Sequence, residues 1–306
     1  VGVVRDFLIA AGASAGAGLL LLVLLWPTDR VAVRLLRRWK ITGPTPPQVA
    51  EAVRYLRRRR LLYPWLFVAC SWPALPLPVD GFTSGLLVSV LGGTLLAELL
   101  ALRPGRQRRR AAGLVHRGVF DLVSRTAVAV LGVFAVATLA LAVAALAVRG
   151  WAGQVAERVD DGRVSVPGGF LVVPLNRGEL LDAAPWWVLG GLVLTLLVVV
   201  AIVRVALVRP ASGDPDVDAA LRTRSAGVAV GVGVAVTGGL MSTIGMRLSK
   251  IASFDQVPVT PAVPGWLPGS ESALWPVAVF GWLVALGFWW LLVDPPRRAR
   301  WAGATA

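Results

Sequence analysis

One cysteine, Cys70, and one histidine, His116, are all that this 306-residue chain holds of the residue types that build most metal and thiol sites. A disulfide within the chain and a structural zinc centre of cysteines and histidines are thereby excluded. Charge is scarce too: 16% of residues are charged, against about 25% in soluble proteins. Lysine is nearly missing, since Lys40 and Lys250 are the only two among 31 basic residues. What fills the chain instead is apolar, with 56% hydrophobic residues and a mean hydropathy of +0.71. That composition excludes a secreted or cytosolic enzyme and describes a membrane protein. Arginine in place of lysine, with abundant alanine, glycine and valine, reflects a GC-rich bacterial genome. The expected location is therefore the bacterial plasma (inner) membrane, crossed several times.

A bilayer core of about 30 Å needs about 20 mostly apolar helical residues. Seven stretches qualify: 7–26, 61–79, 81–102, 126–148, 186–208, 225–246 and 274–293. The fold class expected is an all-α polytopic transmembrane bundle forming a single integral membrane domain over 1–306. Pro64, Pro73, Pro76 and Pro78 interrupt the second stretch, so a six-helix count with that segment re-entrant is the alternative. The first stretch ends LLWPTDR, without a small-residue cleavage site, and reads as an anchor.

Orientation follows from where the basic residues fall. Segments 27–60, 103–125, 209–224 and 294–306 carry ten, seven, three and three of them, whereas 149–185 and 247–273 carry four and two. The first four are expected in the cytoplasm with the C-terminus, and the other two loops outside with the N-terminus. The net charge of +14 is then an orientation code. Trp26, Trp289 and Trp290 are expected at the inner interface, and Trp151, Trp186, Trp187 and Trp275 at the outer one. Each inward helix ends at a proline, at Pro27, Pro104, Pro210 and Pro295, and each return helix follows an arginine, at Arg60, Arg125 and Arg224. The chain thus reads as like-oriented helical hairpins plus a last inward helix.

Aligning two of these hairpins on Pro104 and Pro210 places Glu98 and Arg204 at equivalent positions with opposite charge. A charge at mid-helix costs about 2.5–3.5 kcal/mol on insertion scales, and pairing would offset it. An intramembrane ion pair is the expectation; separate contact with head groups is the alternative. Gly12/Gly16, Gly81/Gly85 and Gly227/Gly231 have the spacing of close helix packing. The glycines around Gly231 lie inside an apolar run with no preceding strand, so a dinucleotide loop is excluded.

Within 27–60, Thr45 as N-cap, Pro46 at the first position and Val49, Val53 and Leu56 at helical spacing predict a short helix. Its other face carries Arg54, Arg57, Arg58, Arg59 and Arg60, a surface for anionic lipid or for a docking partner. Arg106, Arg108, Arg109 and Arg110 form a second such patch, without the aromatics that nucleic-acid binding would need. Asp214, Asp216 and Asp218 lack the glycine and glutamate of an EF-hand and are expected to cap an interfacial helix. The alternation in RVSVPGGFLVVPL predicts a β-hairpin turning at Pro167–Gly169, and Asp160, Asp161, Glu179 and Asp182 read as solvent-loop acids. No catalytic constellation, metal motif or cofactor motif emerges, so an enzyme is not expected.

The segments AEAVRYLRRRRLLYP, AELLALRPGRQRRR with the later DLVSR, and LVRPASGDPDVDAALRTRS carry a resemblance covering about a third of the chain. In these the chain resembles uncharacterised actinobacterial polytopic membrane proteins often encoded near GntR-type regulators and ABC-transporter ATPases. The resemblance implies a transport-related membrane subunit working with a partner ATPase. The other function expected from the residues is a non-transporting scaffold or sensor, binding a partner through its basic cytoplasmic loops or outer hairpin. Transport predicts a polar cavity near the Glu98/Arg204 level, and the scaffold a tightly packed bundle.

Overall fold

The computed structural model describes residues 11–13, 15–16, 18–20, 22–23, 26–38, 41, 43–62, 64–66, 68, 92–97, 100, 118–208, 214–257, 261–262 and 264–293. Four helices among these are long and apolar enough to cross a membrane, and the protein is an integral membrane protein built as a helical bundle. They are α3 (Arg125–Ala147), α6 (Ala184–Val208), α7 (Pro215–Ala252) and α8 (Glu271–Val293), and they coincide with four of the seven apolar stretches. Before them come α1 (Asp29–Arg38) and α2 (Pro46–Arg60). Between α3 and α6 lie α4 (Arg149–Ala156), strands β1 (Val159–Asp160), β2 (Arg163–Val166) and β3 (Gly169–Val172), and α5 (Arg177–Leu181).

Helix α7 is the axis, packed against α3, α6 and α8. In its most apolar stretch 67% of residues are buried, against 11% for α8. The composition explains the difference. Small residues let α7 approach its neighbours closely, whereas α8 presents Trp275, Phe280, Leu283, Val284 and Trp290 outward, as a lipid-facing helix does. A Cβ added at Gly238 would collide with the Ala285 Cβ, one at Gly245 would lie 3.1 Å from the Ala278 Cβ, and one at Gly281 would meet the Met241 Cε. A Cβ at Gly233 would lie 2.8 Å from the Val199 Cγ2. Close packing therefore falls at Gly233, Gly238, Gly245 and Gly281. At Gly12 and Gly16 nothing lies within 4 Å among the described residues.

One helix replaces what the sequence divides into a cytoplasmic segment, a span and the start of an outer loop. Asp214 caps α7, its Oδ1 accepting from the Asp216 and Val217 amides at 3.0 and 3.2 Å. Pro215 follows where its missing N–H costs nothing. The helix then runs through to Ala252, about 57 Å at 1.5 Å per residue, well beyond the apolar stretch 225–246. Its polar ends stay helical because other elements pack on them.

Helix directions alternate. The start of α3, the end of α6 and the start of α7 share one hydrophobic cluster (Leu122, Ala127, Val203, Ala206, Ala226). The opposite end gathers Trp151, Val155, Val164, Leu180, Val188, Leu248 and Phe254 into another. The first is the arginine-rich end and the second the sheet end.

The sheet departs from a purely helical reading. Strands pair antiparallel in the order β1-β2-β3. Asp160 and Arg163 close a two-residue turn with Asp161 (φ 42°) and Gly162 (φ 71°) both left-handed, the geometry an Asp-Gly pair favours. Val166 and Gly169 close the second turn around Pro167 and Gly168, within the predicted hairpin. Trp151 is buried in the core of the sheet end: it is 8% exposed, donates to the Pro261 carbonyl at 3.0 Å and meets Phe254 edge-on at 5.8 Å.

Candidate functional site

At the arginine-rich end the α1–α2 hairpin docks on the first turns of α7. Thr45 opens α2, with the Gln48 Oε1 accepting from the Thr45 amide at 2.8 Å, and Pro46 follows at the first helical position. Ala52, Tyr55 and Leu56 then face Ala32 and Leu36 of α1 and Val217 and Leu221 of α7 in one cluster. Two polar contacts fix the register. The Gln48 Nε2 donates to the Asp214 Oδ2 at 2.8 Å, and the Tyr55 hydroxyl meets the Ser225 Oγ at 2.6 Å. The Gln48 amide, the Val217 amide and the Asp216 amide hold the Asp214 carboxyl below its ordinary value against a smaller opposing effect of burial.

Behind this contact lies a buried ion pair. The Arg222 Nε and Asp218 Oδ2 stand 2.6 Å apart, one helical turn from each other, with side chains 4% and 1% exposed. The Arg222 Nη1 donates to the Ala206 and Leu207 carbonyls at 3.2 and 3.3 Å. These belong to the last turn of α6, where carbonyls lack helical partners and the helix dipole favours a cation. Desolvating two charges is costly, and these extra hydrogen bonds are what offset it.

At the sheet end a second arginine of α7 repeats the arrangement. The Arg247 Nη1 and Asp182 Oδ1 lie 2.7 Å apart, and the Arg247 Nη2 donates to the Leu180 carbonyl at 3.2 Å. The same Asp182 oxygen accepts from the Ala184 amide at 3.0 Å, at the start of α6. Asp182 is therefore a fastening residue, not a solvent-loop acid. Between the two arginines α7 crosses Thr138 of α3, whose hydroxyl donates to the Phe134 carbonyl at 2.7 Å and lies 3.1 Å from the Thr237 carbonyl.

The residues singled out from sequence divide. Arg54, Arg57 and Arg58 are exposed on α2, while Arg59 and Arg60 are 5% and 7% exposed. Arg204 lies on an exposed stripe of α6 with Leu197, Val200 and Val208. Glu98, Arg106, Arg108, Arg109, Arg110 and His116 lie outside the described residues, as do most of 61–79 and 81–102. The Asp218–Arg222 and Asp182–Arg247 pairs lie outside the patterns that single residues out in the sequence. The first had a signal in its i, i+4 spacing; the second joins distant parts of the chain and had none. Among the described residues no group of three or more His, Cys, Asp or Glu could hold a metal ion.

The fold and these contacts define an integral membrane helical bundle with one axial helix fastened at both ends. Comparison with protein-family models, with curated proteins and with solved structures finds no match.

Proposed function

We propose that the chain is a multi-pass protein of the bacterial plasma membrane that acts as a non-transporting scaffold or sensor, relaying the state of an outer cap to an inner helical hairpin. The observation that supports it most is α7 itself. One unbroken helix carries the α1–α2 hairpin at its start, through Gln48–Asp214 and Tyr55–Ser225, and the α5–α6 corner near its end, through Arg247–Asp182. A rigid element fastened at both ends passes displacement between them. Glycine-to-alanine packing along α7 and α8 suits a bundle that is braced. The basic-residue distribution favours the N-terminus and sheet end outside and the arginine-rich end in the cytoplasm, with seven spans when 7–26, 61–79 and 81–102 are counted.

The test is a perturbation at one end read at the other. In full-length protein in lipid nanodiscs, Asp182→Asn should loosen the α5–α6 corner and change hydrogen exchange in residues 46–60. A change confined to residues near Asp182 sinks the relay.

The transport reading, a membrane subunit with a partner ATPase, draws on one specific feature: a helical hairpin docked on the axial helix is an element a cytoplasmic partner could grip. Co-purification from native membranes separates the two, because stoichiometric recovery of an ATPase favours transport.

A further inference from the structure

We propose that the outward face of the α1–α2 hairpin is a binding surface for the head groups of anionic phospholipids in the bilayer that holds this chain. Helix α1 exposes Arg30, Arg34 and Arg37, which at i, i+4 and i+7 form one stripe opposite buried Ala32 and Leu36. Helix α2 exposes Arg54, Arg57 and Arg58 opposite buried Ala52, Tyr55 and Leu56. Both apolar faces are spent on the cluster with Val217 and Leu221, so the six exposed arginines lie on the opposite side of the hairpin. Residues 27–60 hold ten basic residues against two acids, Asp29 and Glu51.

Position selects the occupant. Trp26, 44% exposed, ends the apolar stretch 7–26, and the Arg57 guanidinium lies 6.0 Å from the centre of its ring. Trp65, 77% exposed, stands just past the other end of the hairpin. Exposed tryptophans beside apolar stretches mark the head-group layer, and Arg57 is fastened to one of them. The α2 stripe therefore lies in that layer, where guanidinium groups pair with lipid phosphate. An acidic protein would have to displace the head groups to reach it.

The surface rests on the membrane reading of the chain and not on the relay, so it can fail while the relay stands. The test uses the purified full chain in nanodiscs of phosphatidylcholine doped with spin-labelled phosphatidylglycerol or spin-labelled phosphatidylcholine. The motionally restricted fraction of each label reports which lipid the protein holds. The wild type should favour phosphatidylglycerol by about two- to fivefold, an advantage that salt reduces. R30Q/R34Q/R37Q should remove a large part of it, and adding R54Q/R58Q most of the rest. The corresponding lysine variants should keep it, and they serve as controls for folding. Equal restriction of both lipids by the wild type overturns the proposal, as does undiminished preference in folded glutamine variants. Competition by inorganic phosphate at constant ionic strength would mark a site for a free anion instead and also overturns it.

Discussion

Arg222 and Arg247 lie about 37 Å apart along one helix at 1.5 Å per residue, and each fastens a different end of α6. Arg222 takes the carbonyls that α6 leaves open at its C-terminus, and Arg247 holds the aspartate that accepts from the Ala184 amide at its start. Between Arg224 and Arg247 the helix carries no charge. That separation slightly exceeds a hydrocarbon core of about 30 Å, so a bilayer centred on the uncharged run would leave both arginines near its head groups, where ion pairs cost less than at mid-membrane.

The Asp218–Arg222 pair should behave as a buried ion pair does. Arg222→Met removes the ion pair with Asp218 and the donor to the α6 carbonyls, and is expected to cost about 3–5 kcal/mol. Asp218→Leu with Arg222→Met removes both charges and should recover much of that loss. Unfolding in mixed micelles, followed by circular dichroism, measures the wild type and the two variants. A double variant as unstable as the single one would show that the carbonyl contacts, not the Asp218–Arg222 pairing, dominate.

Gly238 and Ala285 meet so closely that only one of the two positions can hold a methyl group. Gly238→Ala is expected to destabilise by about 1–3 kcal/mol, as overpacking does. Adding Ala285→Gly moves the missing methyl across the interface and should restore most of the stability. Gly281→Ala should cost less, because the atom it meets is the mobile end of Met241. The measurement is again unfolding in mixed micelles; equal costs at Gly238 and Gly281 would contradict this packing.

Much of this architecture was legible in the sequence, for reasons that particular residues show. An apolar run after Arg125 marks α3, runs ending before Pro210 and Pro295 mark α6 and α8, and Thr45–Pro46 marks the start of α2. The extension of α7 was hidden because Asp218, Arg222, Arg247 and Lys250 look like loop charges until their packing is known. Arg57 to Arg60 read as one basic face, yet four successive helical residues sweep about 300°, so some must turn inward, and Arg59 and Arg60 do. The Asp-Gly pair at 161–162 is a local signal for the β1–β2 hairpin, shorter than the alternation further along.

The proposed Glu98–Arg204 ion pair has a charge-exchange test. Glu98→Arg alone, or Arg204→Glu alone, places two like charges at equivalent depth, and each should lower the yield of folded protein severalfold at the costs of membrane-buried charge. The double exchange restores opposite charges and should recover the yield if the residues pair. Arg204 shares its exposed stripe with Leu197, Val200 and Val208, a surface that a further helix or lipid can cover. A double variant no better folded than either single one leaves each charge with head groups and removes the pair.

The contact between α2 and α7 should depend on pH through Asp214. Its carboxyl titrates below the ordinary 3.8, first because of the Gln48 hydrogen bond and then because of the Val217 amide. A group whose folded value is depressed stabilises the folded state above its unfolded value and loses that contribution as pH falls through the folded one. Docking of the hairpin should therefore be constant from neutral pH down to about 4 and weaken only below it. Asp214→Asn removes the titration and keeps an oxygen for the α7 amides, but puts an NH2 group where the Gln48 Nε2 donates, so its docking should be weaker at neutral pH and vary less with pH over the same window. Hydrogen exchange in residues 46–60, corrected for the intrinsic rate at each pH, provides the measurement. The same acid-dependent loosening in wild type and Asp214→Asn would assign it to another group.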